Sequence, residues 1–262
     1  VFFVLSIDKN NQTVRKKKIM LTIPRLKNLF LRQPPEAVID PILPVKVQIK
    51  AWHKANRIMG WNIPEDEFEK QRTLSSSNGT CVYAGFIGTA LFYGFGDDGS
   101  GNSDAVLSGA LAWEYGRKRR RDKIWQCEYI DFEKPDDIRL RPGAPLRPKG
   151  FYYARLQPGK HLVNLTVSQL RKRLGDVTGW GPEGFQFLTI THTHFADLMT
   201  ERKIPFMALA DYDVAPHGFN DFYDAPQIFC SNHILGLGIG NVDRNYPLFG
   251  IPTLQICKEA EQ

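Results

Sequence analysis

Eight residues near the C-terminus, ILGLGIGN (Ile234–Asn241), alternate branched apolar side chains with glycine. Alternation of period two is the signature of a strand, because successive side chains of an extended chain point to opposite faces. Leu235, Leu237 and Ile239 then share one face, and Gly236, Gly238 and Gly240 the other. The apolar face has to bury against a core. The bare face lets a helix, a second backbone or a flat ligand approach closely. A chain carrying such a strand is built around a sheet.

The same run resembles a glycine-rich nucleotide loop. Only Val242–Gln262 follows it, too little for the βαβ unit that such a loop opens. Upstream, VSQLRKRLG reads as a short helix capped by Thr166 or Ser168. FQFLTIT reads as a strand, Thr193 opens a helix running to Lys203, and the continuously apolar IPFMALA reads as a strand buried on both faces. Phe185–Ala210 is thus expected to form strand–helix–strand, a parallel pair with a right-handed crossover. PQIFCS supplies a further strand.

Ligand sites in open α/β sheets lie beyond the carboxyl ends of strands. On this reading three strand ends converge. One carries His192 and His194, the next Asp211 and Asp213 with His217 in the following loop, and the third Asn232 and His233. Residues two apart on an extended chain share a face. His192 and His194 can therefore chelate a divalent metal, Zn or Mg, with Asp211 and Asp213 as oxygen ligands or general base. His217 and His233 would act as donors around the reacting group. Such a set lowers the pKa of bound water and yields a nucleophile at neutral pH. The chemistry implied is metal-assisted hydrolysis of a small-molecule or phosphorylated substrate, in particular a phosphoester.

THTHFADL resembles the THxHxDH motif of metallo-β-lactamases. Its Asp arrives one position late, at Asp197, and Leu198 stands where the second-metal histidine belongs. ALADYDVAPHGF is similar to the Asp-x-Asp-x-x-Gly segment of Toprim nucleases and topoisomerases, with extra residues between Asp213 and Gly218. Each likeness covers about a dozen residues, and neither family's residue roles carry over.

Two basic runs support a different class of function. Arg15–Lys18 (RKKK) and Arg117–Arg121 (RKRRR) are candidate phosphate contacts, and Trp113, Tyr115 and Trp125 flank the second and can stack on bases. Lysines on a hairpin edge and cations at a helix C-terminus explain the same runs structurally. The net charge of +6, from 34 Lys and Arg against 28 Asp and Glu, leans modestly toward acidic partners. A nucleic-acid or nucleotide-binding module is the alternative to the hydrolase, and a structural protein without catalysis is the third reading.

The remaining features set the frame. VFFVLSI and VRKKKIMLTI flank a turn and read as an N-terminal hairpin, with neither a basic leader nor a cleavage site typical of a signal peptide. VKVQI is expected as a strand leading into a helix to Met59, and PEDEFEKQR as a helical turn or two. Ser103 is expected to cap a helix over Asp104–Tyr115, with Ala105, Leu107, Ala110, Leu111 and Trp113 on its buried stripe. Cys81, Cys127, Cys230 and Cys257 lack the close spacing of metal or redox motifs, and Cys81 with His161 is a further nucleophile–base candidate. The longest apolar run, Cys81–Phe95, is glycine-rich and too short to span a membrane. The expectation is an α/β or α+β protein of the cytoplasm, with a mixed sheet. Residues 1–75 are expected to form the hairpin and a wrapping extension and residues 76–262 the main domain, with one continuous domain as the alternative.

Overall fold

The computed structural model describes residues 42–74, 88–96, 102–132, 137–174, 178–215 and 221–257. The chain divides into Val1–Val38 and Ile39–Gln262, and every described residue belongs to the second unit. The expected N-terminal hairpin, the Arg15–Lys18 run, Cys81 and His217 lie outside the described residues.

Two sheets enclose the main core. The first has strands β1 (Gly88–Gly94), β4 (Gly150–Gln157), β5 (Thr178–Gly179) and β11 (Thr253–Ile256). Its order is β1-β4-β11-β5, antiparallel throughout. The second contains β2 (Ile124–Gln126), β3 (Ile138–Leu140), β6 (Phe206–Ala208), β7 (Tyr212–Val214), β8 (Asp224–Ser231), β9 (Ile234–Asn241) and β10 (Phe249–Gly250). One edge of β8 pairs with β9; its other edge pairs with β6 and β7. The β2/β9 and β6/β10 pairs are parallel and the rest antiparallel, so this sheet is mixed.

The parallel pairs are not those expected. The segment read as the strand FQFLTIT is helical: α5 (Pro182–Gln186) runs into a wider π turn over Phe187–Thr191. Pro182 occupies the first helical position, where its missing N–H costs nothing and its fixed φ favours the helix. The turn closes with the His192 N–H donating to the Phe187 carbonyl at 2.7 Å. All residues from 178 to 192 are buried, and a helix covered on every side has no polar face to reveal its period. Helix α6 (Phe195–Thr200) follows with no side-chain cap, so Thr193 does not play that role.

The first helix also departs from expectation. Val45–Met59 is helical throughout, as α1, and Val45, Gln48, Ile49, Trp52 and Ala55 make its buried stripe. Helix α2 is Glu65–Leu74. Residues 42–74, expected within a wrapping extension, share the core with β1 and β4 through Trp52 and Phe68. Strand β1 is an edge strand whose free backbone groups are met by side chains. Gln48 donates to the Thr89 carbonyl and accepts from Leu91 N–H, Trp52 donates to the Leu91 carbonyl, and Gln186 bonds both backbone groups of Tyr93. Such cover removes the unpaired edge that would recruit another strand.

Helix α3 (Asn102–Arg120) crosses the core. It buries Ala105, Val106, Ala112, Trp113 and Tyr115, whereas Leu107, expected on the stripe, is exposed. Gly109 and Gly116 let it sit against Phe185 and Thr189 of the buried helical segment, and the Thr189 hydroxyl donates to the Ala112 carbonyl. Helix α4 (Val167–Arg171) has the capping box formed by Thr166 and Gln169. It packs Val167 and Leu170 against Ala208 and Ala225, covering part of the outer face of the mixed sheet. Among the described residues no helix is long and apolar enough to cross a membrane.

Candidate functional site

The six strand-end candidates do not meet in one place among the described residues. His192 is fully buried and stacks on Phe187 with ring centroids 4.3 Å apart. The backbone N–H of Leu43 donates to its Nε2 at 3.1 Å, so Nε2 is unprotonated and Nδ1 carries the hydrogen toward Thr191 Oγ1, 2.8 Å away. Burial, with His194 as a second cause, lowers its pKa to about 3. Both nitrogens of this neutral ring are occupied by protein. His194 lies at the head of α6, its ring 5.9 Å from that of His192 and 4.9 Å from that of Phe195.

Asp211 precedes β7 and its carboxylate is saturated. Arg141 donates to Oδ1 at 3.1 Å, Gly179 N–H to Oδ1 at 3.2 Å, Arg147 to Oδ2 at 2.9 Å, and the Thr178 hydroxyl also to Oδ2. Asp213, on β7, lies 2.9 Å from the Arg171 guanidinium and 3.8 Å from that of Arg139. Asn232 and His233 form the tight turn between β8 and β9, both with positive φ. His233 is exposed there, with Nδ1 3.3 Å from Asp197 Oδ1. Among those residues no group of three or more His, Cys, Asp or Glu side chains is placed to hold a metal ion.

Asp211 belongs instead to a buried ionic network that sequence reading passed over. Arg147 bonds Glu183 at 2.6 Å through Nε and reaches Asp211 through a second nitrogen. Glu183 also accepts from the Tyr152 hydroxyl and from Gly181 N–H. Burial opposes the charge on Arg147, but Glu183 and Asp211 outweigh it and hold its pKa above the ordinary value. Burial, then Glu183, pushes Tyr152 well up. Every carboxylate oxygen in the network already accepts from a protein donor. The network pins the segment carrying Arg141 and Arg147 to both sheets, and the one sequence signal for it is a pair of arginines in a proline-rich connector.

An aromatic row lies on the face of the mixed sheet that carries Ala208 and Ala225. Pairing registers align Trp125 with Gly236, Gly236 with Phe229, and Phe249 with Phe206. Phe206 comes opposite Phe229 one residue beyond the Met207–Ile228 pair. The result is one cross-strand row, Trp125–Gly236–Phe229–Phe206–Phe249, spanning β2, β9, β8, β6 and β10. Ring centroids are 5.8 Å apart for Trp125 and Phe229, 6.1 Å for Phe229 and Phe206, and 5.3 Å for Phe206 and Phe249. Trp125 is 50% exposed and the three phenylalanines half-buried. On the glycine face of β9 the close neighbour is neither helix, backbone nor ligand but the Phe229 ring, which lies so close over Gly236 that a Cβ there would strike it.

The basic run Arg117–Arg121 leads directly into this row through a short 3-10 turn, Arg121–Lys123, and β2. Its residues divide by role. Lys118 donates to the Ile58 carbonyl and Arg120 to the Thr193 carbonyl, tying the end of α3 to its neighbours. Arg117 pairs with Glu114, and Arg119 lies over the Tyr115 ring. Arg121 and Lys123 are exposed and have no ion-pair partner among the described residues. Of the three aromatic residues that flank the run, Trp113 and Tyr115 are buried and Trp125 is accessible. Comparison of the chain with family models, with curated proteins and with solved structures finds no match in any of the three.

Proposed function

We propose that this protein is a nucleic-acid-binding module that uses the aromatic row and the cations leading into it. The observation that carries the reading is the adjacency of half-exposed Trp125 to exposed Arg121 and Lys123. Cations that neutralise phosphates supply sequence-independent affinity, and an accessible ring adds a face on which a base stacks. The positive net charge favours the same class of ligand. Metal-assisted hydrolysis draws less support, because both nitrogens of His192 and all the acceptor capacity of Asp211 are engaged within the protein.

The test is a titration of labelled oligonucleotide across a range of salt concentrations. Affinity should fall steeply with salt. Arg121→Gln with Lys123→Gln should flatten the slope by roughly 0.7–0.9 per lost phosphate contact. Binding that is absent at low salt, or unchanged in the double variant, would contradict the proposal.

A further inference from the structure

Resting on that reading, we infer that the ligand is a single strand with splayed bases, held without sequence preference, and that Trp125 is its principal stacking position. Three features of the row point to this. First, its rings are tilted against one another: 47° between Trp125 and Phe229, 62° between Phe229 and Phe206, 63° between Phe206 and Phe249. They make a faceted floor rather than a plane, so bases lying on it are turned away from one another.

Second, the ring spacing of 5.3–6.1 Å exceeds the advance of about 3.4 Å per base along one strand of a duplex. Bases in a continuous paired stack cannot keep register with these rings, and their faces are covered by their neighbours. Third, the row consists of Trp125, three phenylalanines and a glycine, with Tyr246 at the far end, its ring 5.9 Å from that of Phe249. The rings within the row carry stacking faces but no hydrogen-bonding edge set to distinguish one base from another, except the single indole N–H of Trp125.

Gly236 sets the arrangement. The bare backbone between Trp125 and Phe229 lets the Phe229 ring lie across β9 toward Trp125. The row crosses four inter-strand steps, about 19 Å at roughly 4.8 Å each. Arg121 and Lys123 stand at the Trp125 end, where phosphates of the stacked nucleotide would meet them. The outer face beyond the row is covered by α4, which confines the strand to the aromatic part.

The experiment compares fluorescein-labelled oligothymidylate with the same strand annealed to oligoadenylate, using the full chain, for the parent, Trp125→Ala, Trp125→Phe and the Arg121→Gln/Lys123→Gln variant. The single strand should bind at least tenfold tighter than the duplex. Trp125→Ala should lose about tenfold for the single strand, and Trp125→Phe should retain most of the affinity. A mixed-sequence strand should bind within a few-fold of oligothymidylate. Unchanged far-ultraviolet circular dichroism and melting temperature of the variants establish that the fold is kept. Equal binding of duplex and single strand, with no effect of Trp125→Ala but weakening in the Arg121/Lys123 variant, would overturn the single-strand inference while leaving nucleic-acid binding intact. No binding of either probe would overturn both, and self-association lost only in Trp125→Ala would then identify the row as a protein contact.

Discussion

The backbone N–H of Leu43 donates to Nε2 of His192 across 149 positions of sequence, at 3.1 Å. The bond fastens the entry to α1 onto the end of the buried helical segment, and it requires a neutral ring. The ring's ordinary pKa of 6.5 falls to about 3 in the fold. Between those values the unfolded chain binds a proton that the folded chain does not. This contribution to stability is therefore complete above pH 6.5 and is lost as pH falls toward 3, by up to about 1.4 kcal/mol per pH unit. His192→Gln keeps an acceptor for Leu43 and removes the titration. Urea midpoints measured from pH 7 down to pH 4 should fall more steeply for the parent than for the variant; parallel slopes would contradict the assignment.

Arg147, Glu183 and Asp211 should behave as a unit. Arg147→Met leaves two buried carboxylates short of a donor and should cost about 3–5 kcal/mol, as for other buried pairs broken from one side. Tyr152→Phe removes one of several donors to Glu183 and should cost about 1–2 kcal/mol. Chemical denaturation checks both, and a neutral Arg147→Met would show that water reaches the network.

The glycines of β9 should differ among themselves. A Cβ at Gly236 meets the Phe229 ring, whereas one at Gly238 sits 3.5 Å from that ring, an ordinary contact. Gly236→Ala should destabilise by about 1–3 kcal/mol through overpacking and weaken oligonucleotide binding by moving Phe229. Gly238→Ala should do much less of either. Equal effects would show that the ring moves freely.

The basic run should separate the same way. Lys118→Met and Arg120→Met each release a backbone carbonyl and should lower the melting temperature. Arg121→Gln and Lys123→Gln, exposed and without an ion pair among the described residues, should leave it within the error of a surface change. Loss of stability in the second pair would place Arg121 and Lys123 in the fold rather than at a binding surface.

The alternation of β9 was legible because Leu235 and Leu237 carry the period of a half-buried strand, and a short helix capped by Thr166 or Ser168 was expected where α4 forms, with Thr166 as the cap. Phe185–Thr191 was not, since a segment buried on all sides shows neither period, and with its strand assignment went the expected parallel crossover. The aromatic row is a property of register. Trp125, Phe229, Phe206 and Phe249 come from four separate segments, and only the pairings with Gly236 and between β6, β8 and β10 bring them into line. The sequence did mark Trp125 as a stacking candidate beside a basic run. It did not show that Trp125, on β2, is accessible while Trp113 and Tyr115, on α3, are buried.

The most direct test of the central claim is ultraviolet cross-linking of a labelled oligonucleotide to the protein, followed by mass-spectrometric identification of the modified peptides. The account predicts adducts on the peptides that carry Trp125, Phe229 and Phe206, diminished in Trp125→Ala. Adducts confined to the peptides around His192 and Asp211, or no adducts at concentrations where binding is measured, would contradict it.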